Sequence, residues 1–233
     1  MSEHNPDIVY VGGGKGGLGK TICVDMVIDY YMRREKTPHL VDSDNSNLDA
    51  WKKYEKTIPS HRVNLDVKDG WMELIDLADE HPQHPLVINT GSRSNEGVDK
   101  FGPMLNNALG DLRRKLVVLW VLNRDTDSFS LLQGFADKMT KAELHVVKNM
   151  HWGAPEKFVR WEMSKTKENL QSRLGKTLVI PDVADRLTDR MKNKVDGHDR
   201  MSFDIAAKGL PLSLRIEVDR VRQEVDESFS DVL

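Results

Sequence analysis

The sequence predicts an α/β fold in which an open, mostly parallel sheet carries helices on both faces. Three observations predict it. Short β-branched runs alternate along the chain with stretches of helical apolar spacing. A glycine-rich loop stands at the first junction from strand to helix. The segments joining successive strands are long enough for helical crossovers, which strands running in the same direction require.

The elements follow in order. DIVYV, Asp7 to Val11, is short, β-branched and aromatic, and reads as a strand. After the glycines, TICVDMVIDYYMRR places Ile22, Met26, Val27 and Tyr30 at helical spacing. Pro38 separates that helix from a second strand, HLVDSD, which ends in acids. Trp71, Leu74, Ile75, Leu77 and Ala78 line one face of a helix, HPQHP stops it, and LVIN follows as a third strand. KLVVLWVLN is the most apolar run and is expected to be a central strand buried on both faces. A capped helix is expected between Asp127 and Met139, then a strand at ELHVV. A further helix is expected from Pro155 to Leu174, before a strand at TLVI. The last helix puts Leu214, Val218, Val221 and Val225 on one stripe.

Composition sets the outer bounds. With 233 residues and 39% apolar content the chain can bury one sizeable core, and no linker, repeat or low-complexity stretch divides it, so residues 1–233 are expected to form a single domain. No apolar run approaches the roughly 20 residues that span a bilayer, and the polar start MSEHNPD does not read as a signal peptide. A cytoplasmic protein is expected. The single cysteine, Cys23, excludes a disulfide framework and reads as a small buried helix residue. His81 and His84 have a ligand-like spacing but no evident third ligand, so no metal site is expected there. A net charge of -3 gives no global basic signature, and contact with nucleic acid requires a local patch.

The chemistry begins in GGKGGLGKT, which contains G-x-x-x-x-G-K-[ST] as Gly14, Gly19, Lys20 and Thr21. Glycines let backbone N–H groups curl around phosphate oxygens, the lysine meets the β/γ charge, and the hydroxyl ligates Mg2+. The N-terminus of the following helix adds a dipole that favours an anion. Gly12, Gly14 and Gly17 also satisfy G-x-G-x-x-G, with Asp42 where a ribose-binding acid would stand. That dinucleotide alternative leaves Lys20, Thr21 and a second aspartate, Asp44, without a role. Glycines serving only a tight turn would not call for the lysine and threonine.

KGGLGKT, Lys15 to Thr21, resembles the deviant Walker A motif K-G-G-x-G-K-[ST] of the ParA/MinD group of ATPases. The resemblance implies ATP and Mg2+ as cofactors and a homodimer that closes around ATP as a nucleotide sandwich. Gly14, Gly16, Gly17 and Gly19 would wrap the phosphates with Thr21 on the metal. Lys20 would act on its own subunit's phosphates, and Lys15 would reach the partner subunit's ATP. LVDSDNSN is similar to the family's switch I segment, so that Asp44 would orient the attacking water and Asp42 would lie near the metal. Where the family has an aspartate at the end of the third strand, LVINTGS has Asn89, with Thr90 and Gly91 keeping the local pattern. An amide accepts from a metal-bound water but brings no negative charge, which implies weaker Mg2+ dependence or slow ATP hydrolysis. Asn149 matches the adenine-reading asparagine, and Pro181 and Asp182 match the loop along the base. LNRDT is not the guanine signature N-K-x-D, because Thr126 stands where the acid belongs.

Two surfaces bear on partners. The tail sets Arg215, Arg220 and Arg222 against Glu217, Asp219, Glu224, Asp226, Glu227 and Asp231, which repels an anionic bilayer, so no membrane partner is expected. Its apolar stripe reads as core packing or a partner face. Non-specific DNA is the better candidate. Lys157, Arg160, Lys165, Lys167, Arg173 and Lys176 form one basic patch at 155–176, and Arg186, Arg190, Lys192 and Lys194 form a second at 186–194.

The resemblance thus implies a ParA-like ATP switch acting in plasmid partition, stability or conjugative DNA transfer, with a plasmid-encoded partner protein and no room for an added operator-binding domain. Two readings compete with it: a nucleotide-binding module with little turnover, and a metabolic ATPase of similar fold.

Overall fold

The computed structural model describes residues 4–91, 95–192, 202–203 and 210–233. The first half runs β1 (Ile8–Gly12), α1 (Lys20–Met32), β2 (His39–Asp42), α2 (Asp49–Tyr54), β3 (Ser60–Arg62), α3 (Lys68–Glu80), β4 (Leu86–Asn89) and α4 (Asn95–Leu112). The second half runs β5 (Leu116–Leu122), α5 (Asp127–Lys138), β6 (Glu143–Asn149), α6 (Val159–Glu162), α7 (Lys165–Asn169), β7 (Leu174–Ile180), α8 (Asp185–Lys192) and α9 (Leu212–Phe229). The strands form one sheet in the order β3-β2-β4-β1-β5-β6-β7, and every neighbouring pair is parallel.

Strand alternation divides the core between the two faces. From β5, Val117, Leu119 and Val121 join the side chains of α1, α8 and α9, while Leu116, Val118, Trp120 and Leu122 join those of α3, α4 and α5. All seven residues of β5 are buried, as its apolar run predicts.

Several elements differ from expectation. β3 adds a three-residue edge strand, so LVIN is the fourth strand in chain order; its sequence, Ser-His-Arg, lacks any β-branched signal and pairs with β2 alone. The helices α2 and α4 were also not expected. The segment expected as one helix from Pro155 to Leu174 is a 3-10 turn and two short helices. Ser164 breaks it, its Oγ accepting from the Lys167 N–H at 3.1 Å to cap α7. The pieces nevertheless bury Phe158, Trp161 and Leu170 against the α5 side of the sheet. α5 begins after Thr126 without a side-chain cap, so the capped start expected there is not found.

The stripe on α9 packs as core: Leu214, Val218, Val221, Val225 and Phe229 are all buried against α1 and β7. Ion pairs seal that seam. Arg33 grips both carboxylate oxygens of Asp226 at 2.7 and 2.8 Å, and Arg222 pairs with Asp29 at 2.5 Å. The Arg33 guanidinium holds the Asp226 carboxyl below the usual carboxylate range, against the opposing effect of partial burial. A depressed carboxylate contributes stability above its unfolded pKa that is lost as pH falls through the folded one. Asp226 is 35% exposed, so screening keeps the effect small. Asp226→Asn is expected to lower stability by about 1 kcal/mol at neutral pH. Paired melts should show the gap to wild type closing as the pH is lowered through the carboxylate range.

Candidate functional site

The carboxyl ends of β1, β2, β4 and β6 meet around the glycine loop. Register places Val11 of β1 opposite Asn89 of β4, and Asn89 opposite Asp42 of β2. The crossover from β1 leads to β2 on one side and that from β4 leads past β1 to β5 on the other, and the crevice at such a switch point is where open α/β sheets bind ligands. A cavity of about 580 Å3 opens there. The dinucleotide alternative is set aside by the strand order, because that fold sets its first strand beside its second, and here β4 separates them.

The loop itself is held by close contacts. Gly19 has φ +96°, and a Cβ there would fall 2.3 Å from Asn149 Nδ2. A Cβ on Gly14 would stand 2.6 Å from Ser128 Cα, so the loop lies directly on the first turn of α5. Gly16, Gly17, Gly19, Lys20 and Thr21 line the cavity. The two lysines part company. Lys20 is 7% exposed and folds back so that its Nζ donates to the Lys15 carbonyl at 2.7 Å. Burial lowers its pKa, with Asp44 opposing. Lys15 is not among the residues that line the cavity and pairs at the surface with Asp127, the first residue of α5.

The strand ends form a hydrogen-bonded group. Asp42 Oδ1 accepts from Asn89 Nδ2 at 2.9 Å and the Asp44 N–H at 3.2 Å, while its Oδ2 accepts from the Trp51 N–H at 2.9 Å. Burial raises its pKa against these donors. Asp42 therefore secures the loop that carries Asp44 and the start of α2. Asn89 Oδ1 is buried without a partner. Thr90 Oγ1 donates to the Val11 carbonyl at 2.8 Å, tying β4 to β1. Asp44 and Thr90 line the cavity, and Gly91 abuts Asp44, with a Cβ there 3.3 Å from its Oδ1. On the far wall are Asn149, Pro181 and Asp182. Asn149 already bridges two neighbours, donating to the Leu18 carbonyl at 2.8 Å and accepting from the His151 N–H at 3.0 Å.

No protein-family model matches the chain. Protein MobD of Acidithiobacillus ferrooxidans is 39% identical to it over 226 residues, covering 97% of each chain. The chain belongs to the MobD family. Its fold is similar to that of the MinD cell division protein of Aquifex aeolicus, with TM-score 0.51 and 15% identity over 93% of this chain and 96% of that one. In the MinC:MinD cell division protein complex of the same organism the figures are 0.55 and 12%, over 97% of each chain. The MobD-family chain thus has the P-loop fold of the ParA/MinD type.

Sequence reasoning missed two groups in this MobD-family cavity. Asp25 and Lys53 form an ion pair in the wall beside Thr21 and Ile22. Asp25 is 1% exposed, and burial raises its pKa with Lys53 opposing. Its place four residues after Thr21, on the same helix face, was the available signal. His151 pairs with Asp182 at 3.2 Å at the opposite wall.

Half of the cations of the basic patch at 155–176 are paired with acids. Lys167 pairs with Glu162, Lys176 with Asp231, and Arg160 with Asp125 at 3.9 Å. Arg173 donates to the carbonyls of Ala136 and Met139. Lys157, Lys165 and Arg173 have no acidic partner among the described residues. Of the second patch, Lys194 and the Lys192 side chain lie outside the described residues. No helix among the described residues is long and apolar enough to cross a membrane.

Proposed function

We propose that this chain is a cytoplasmic ParA-like ATP switch that closes with a second copy around ATP and Mg2+ and serves plasmid DNA transfer. The observation that carries the reading is the division of labour between the two loop lysines. Lys20 is buried at the cavity, where its ammonium meets the phosphates of its own subunit. Lys15 stands at the surface, where a charge from one subunit can reach the nucleotide of another. Its pairing with Asp127 is between two exposed groups, which hold each other weakly and release readily to a polyphosphate.

The donor set fits the cofactors. Thr21, in the first turn of α1, lines the cavity and offers its hydroxyl to the metal, Asp44 lines the same cavity, and the Asn89 Oδ1, unpartnered among the described residues, suits an acceptor for metal-bound water. Bound Mg2+ would supply charge neutralisation on the phosphates. Asp44 would hold the attacking water, and its backing by Ser46 Oγ at 2.6 Å keeps the carboxylate oriented. Asn149, Pro181 and Asp182 would flank the base. Membership of the MobD family weights the plasmid role toward conjugative mobilisation, through a plasmid-encoded partner protein. With half of the 155–176 cations paired to acids, a DNA contact would rest on the dimer doubling those that remain.

Sizing the protein with ATP and Mg2+ tests the switch. Wild type is expected to shift from monomer to dimer. Lys15→Gln is expected to bind ATP within about threefold of wild type yet stay monomeric, since its cation serves the other subunit. A wild type that remains monomeric, or a Lys15→Gln chain that dimerises equally, overturns the reading.

A second reading has its own observation. The Asn89 amide is committed to Asp42, so the strand end that usually carries a metal-shell carboxylate is neutral. This favours a nucleotide-binding module with little turnover. Phosphate release measured with and without DNA separates the two, with Lys20→Ala as the background.

A further inference from the structure

Four histidines converge at the other end of the sheet. His39 opens β2, His61 is the middle residue of β3, His81 follows the last residue of α3, and His84 lies just before β4. Register pairs His61 with Val41, and the two-residue period of a strand puts His39 on that same face. Val41 belongs to the core beneath α3, so the end of α3 brings His81 over the pair. The ring of His39 lies 4.5 Å from that of His81, 4.9 Å from His84 and 5.6 Å from His61. One ring nitrogen from each of His39, His61 and His81 comes within 4.8 Å of the others.

Two ring nitrogens of these histidines are buried without a partner among the described residues. His39 is only 4% exposed, and its Nδ1 has no hydrogen-bond partner there. His61 Nε2 is likewise buried and unpartnered among them. A pair of orphaned imidazole nitrogens in one small volume is costly unless something binds there.

We propose that His39, His61 and His81 form a three-histidine site for a divalent transition-metal ion of the zinc type, separate from the nucleotide cavity. Imidazole nitrogens without a carboxylate among them select such ions over Mg2+ or Ca2+. Tetrahedral zinc with bonds of about 2.0–2.1 Å sets its nitrogens about 3.3 Å apart, so side-chain rotation of about 1.5 Å closes the cluster. Neighbouring groups support the arrangement. His84 Nδ1 lies 3.0 Å from the Thr37 carbonyl, which fixes its ring beside His39. Arg114 donates to the carbonyls of Pro6, Ala78 and His84, bracing the turn that carries His81. Glu73 and Glu80 place negative charge toward His61, offsetting the Arg114 cation that faces His39. The ion would pin the short edge strand β3 to β2 and to the end of α3. Two residues of β2, Leu40 and Val41, lie between His39 and Asp42 at the nucleotide end, and the three steps span about 10 Å of strand.

Titrating the full chain with Co2+ in the absence of nucleotide, after chelator treatment, tests the site. One equivalent per chain is expected, with the visible bands of four-coordinate Co2+, and Zn2+ should displace it. His61→Gln and His81→Gln are each expected to weaken uptake at least about tenfold, and the pair to abolish it. Wild type should melt several degrees higher with Zn2+, a gain absent from the double variant. Circular dichroism confirms that each variant is folded, and His81→Gln, at a helix end, serves if His61→Gln is not. Absence of stoichiometric uptake overturns the proposal. So does uptake that survives the double variant, or uptake lost instead in Asp44→Asn, which assigns the ion to the nucleotide cavity.

Discussion

Lys20→Ala is expected to cut ATP affinity by at least about 100-fold while leaving the folded chain no less stable. The two halves of that result have one cause. Lys20 is buried beside the cavity with only a carbonyl, that of Lys15, to receive its ammonium directly, and the Asp44 carboxylate to favour it from a distance. Burial therefore lowers its pKa, which means that folding disfavours the charged form. That penalty stands in full below the folded pKa and fades as pH rises toward the unfolded value near 10.4. A phosphate chain supplies the counter-charge that the folded protein withholds. Removing the lysine thus removes the strained cation and the principal charge-assisted contact together. Calorimetric titration of ATP and thermal melts with no nucleotide present check the two halves, with Lys20→Met keeping the side-chain stem. A melt that falls by several degrees with affinity intact would show that the lysine is a structural post.

Asn89→Asp is expected to destabilise the chain by about 2–4 kcal/mol at neutral pH, a drop in melting temperature of roughly 5–15 °C. Asn89 and Asp42 are each 1% exposed, and the amide donates to Asp42 Oδ1 at 2.9 Å. A carboxylate in its place would oppose the Asp42 carboxylate in a buried setting and withdraw the donor. Two such acids share one proton: the folded pKa of one rises, so the penalty is present above that value and shrinks as pH falls through it. Mg2+ with ATP should shrink it too. Melts at pH 7 and pH 5, each with and without Mg2+–ATP, check this, together with phosphate release from the same variant. A gap unchanged by pH and by Mg2+ would place the amide's role elsewhere. Asn89 is therefore more than a missing charge, because it satisfies the acid beside it.

What could be read from the sequence was what depends on neighbouring residues. The glycine loop, its lysines and the alternation of apolar runs are local patterns, and each leads to an element or contact found in the fold. The break at Ser164 is local too, yet the segment from Pro155 to Leu174 was expected as one helix. Phe158, Trp161 and Leu170 are buried without a continuous helix because turns and short helices also deliver them to the same face. β3 carries no strand propensity and exists only because β2 offers it an edge. The pairing of Asp25 with Lys53 and the gathering of His39, His61 and His81 depend on distant segments meeting, which no spacing rule reveals. His81 and His84 were visible as a pair, while the residues that complete the cluster lay on strands earlier in the chain.

α5 works as a beam clamped at both ends. Its first turn lies against Gly14 and receives Lys15 through Asp127, so the glycine loop cannot shift without pressing on it. Phe129 meets Trp161 edge-on at 5.3 Å, and Arg173 grips the carbonyls of Ala136 and Met139 at the other end. The segment from 155 to 176 is thereby hung from the same beam as the loop. The glycine loop and the segment that carries Lys157 and Lys165 thus share one support, the helix α5.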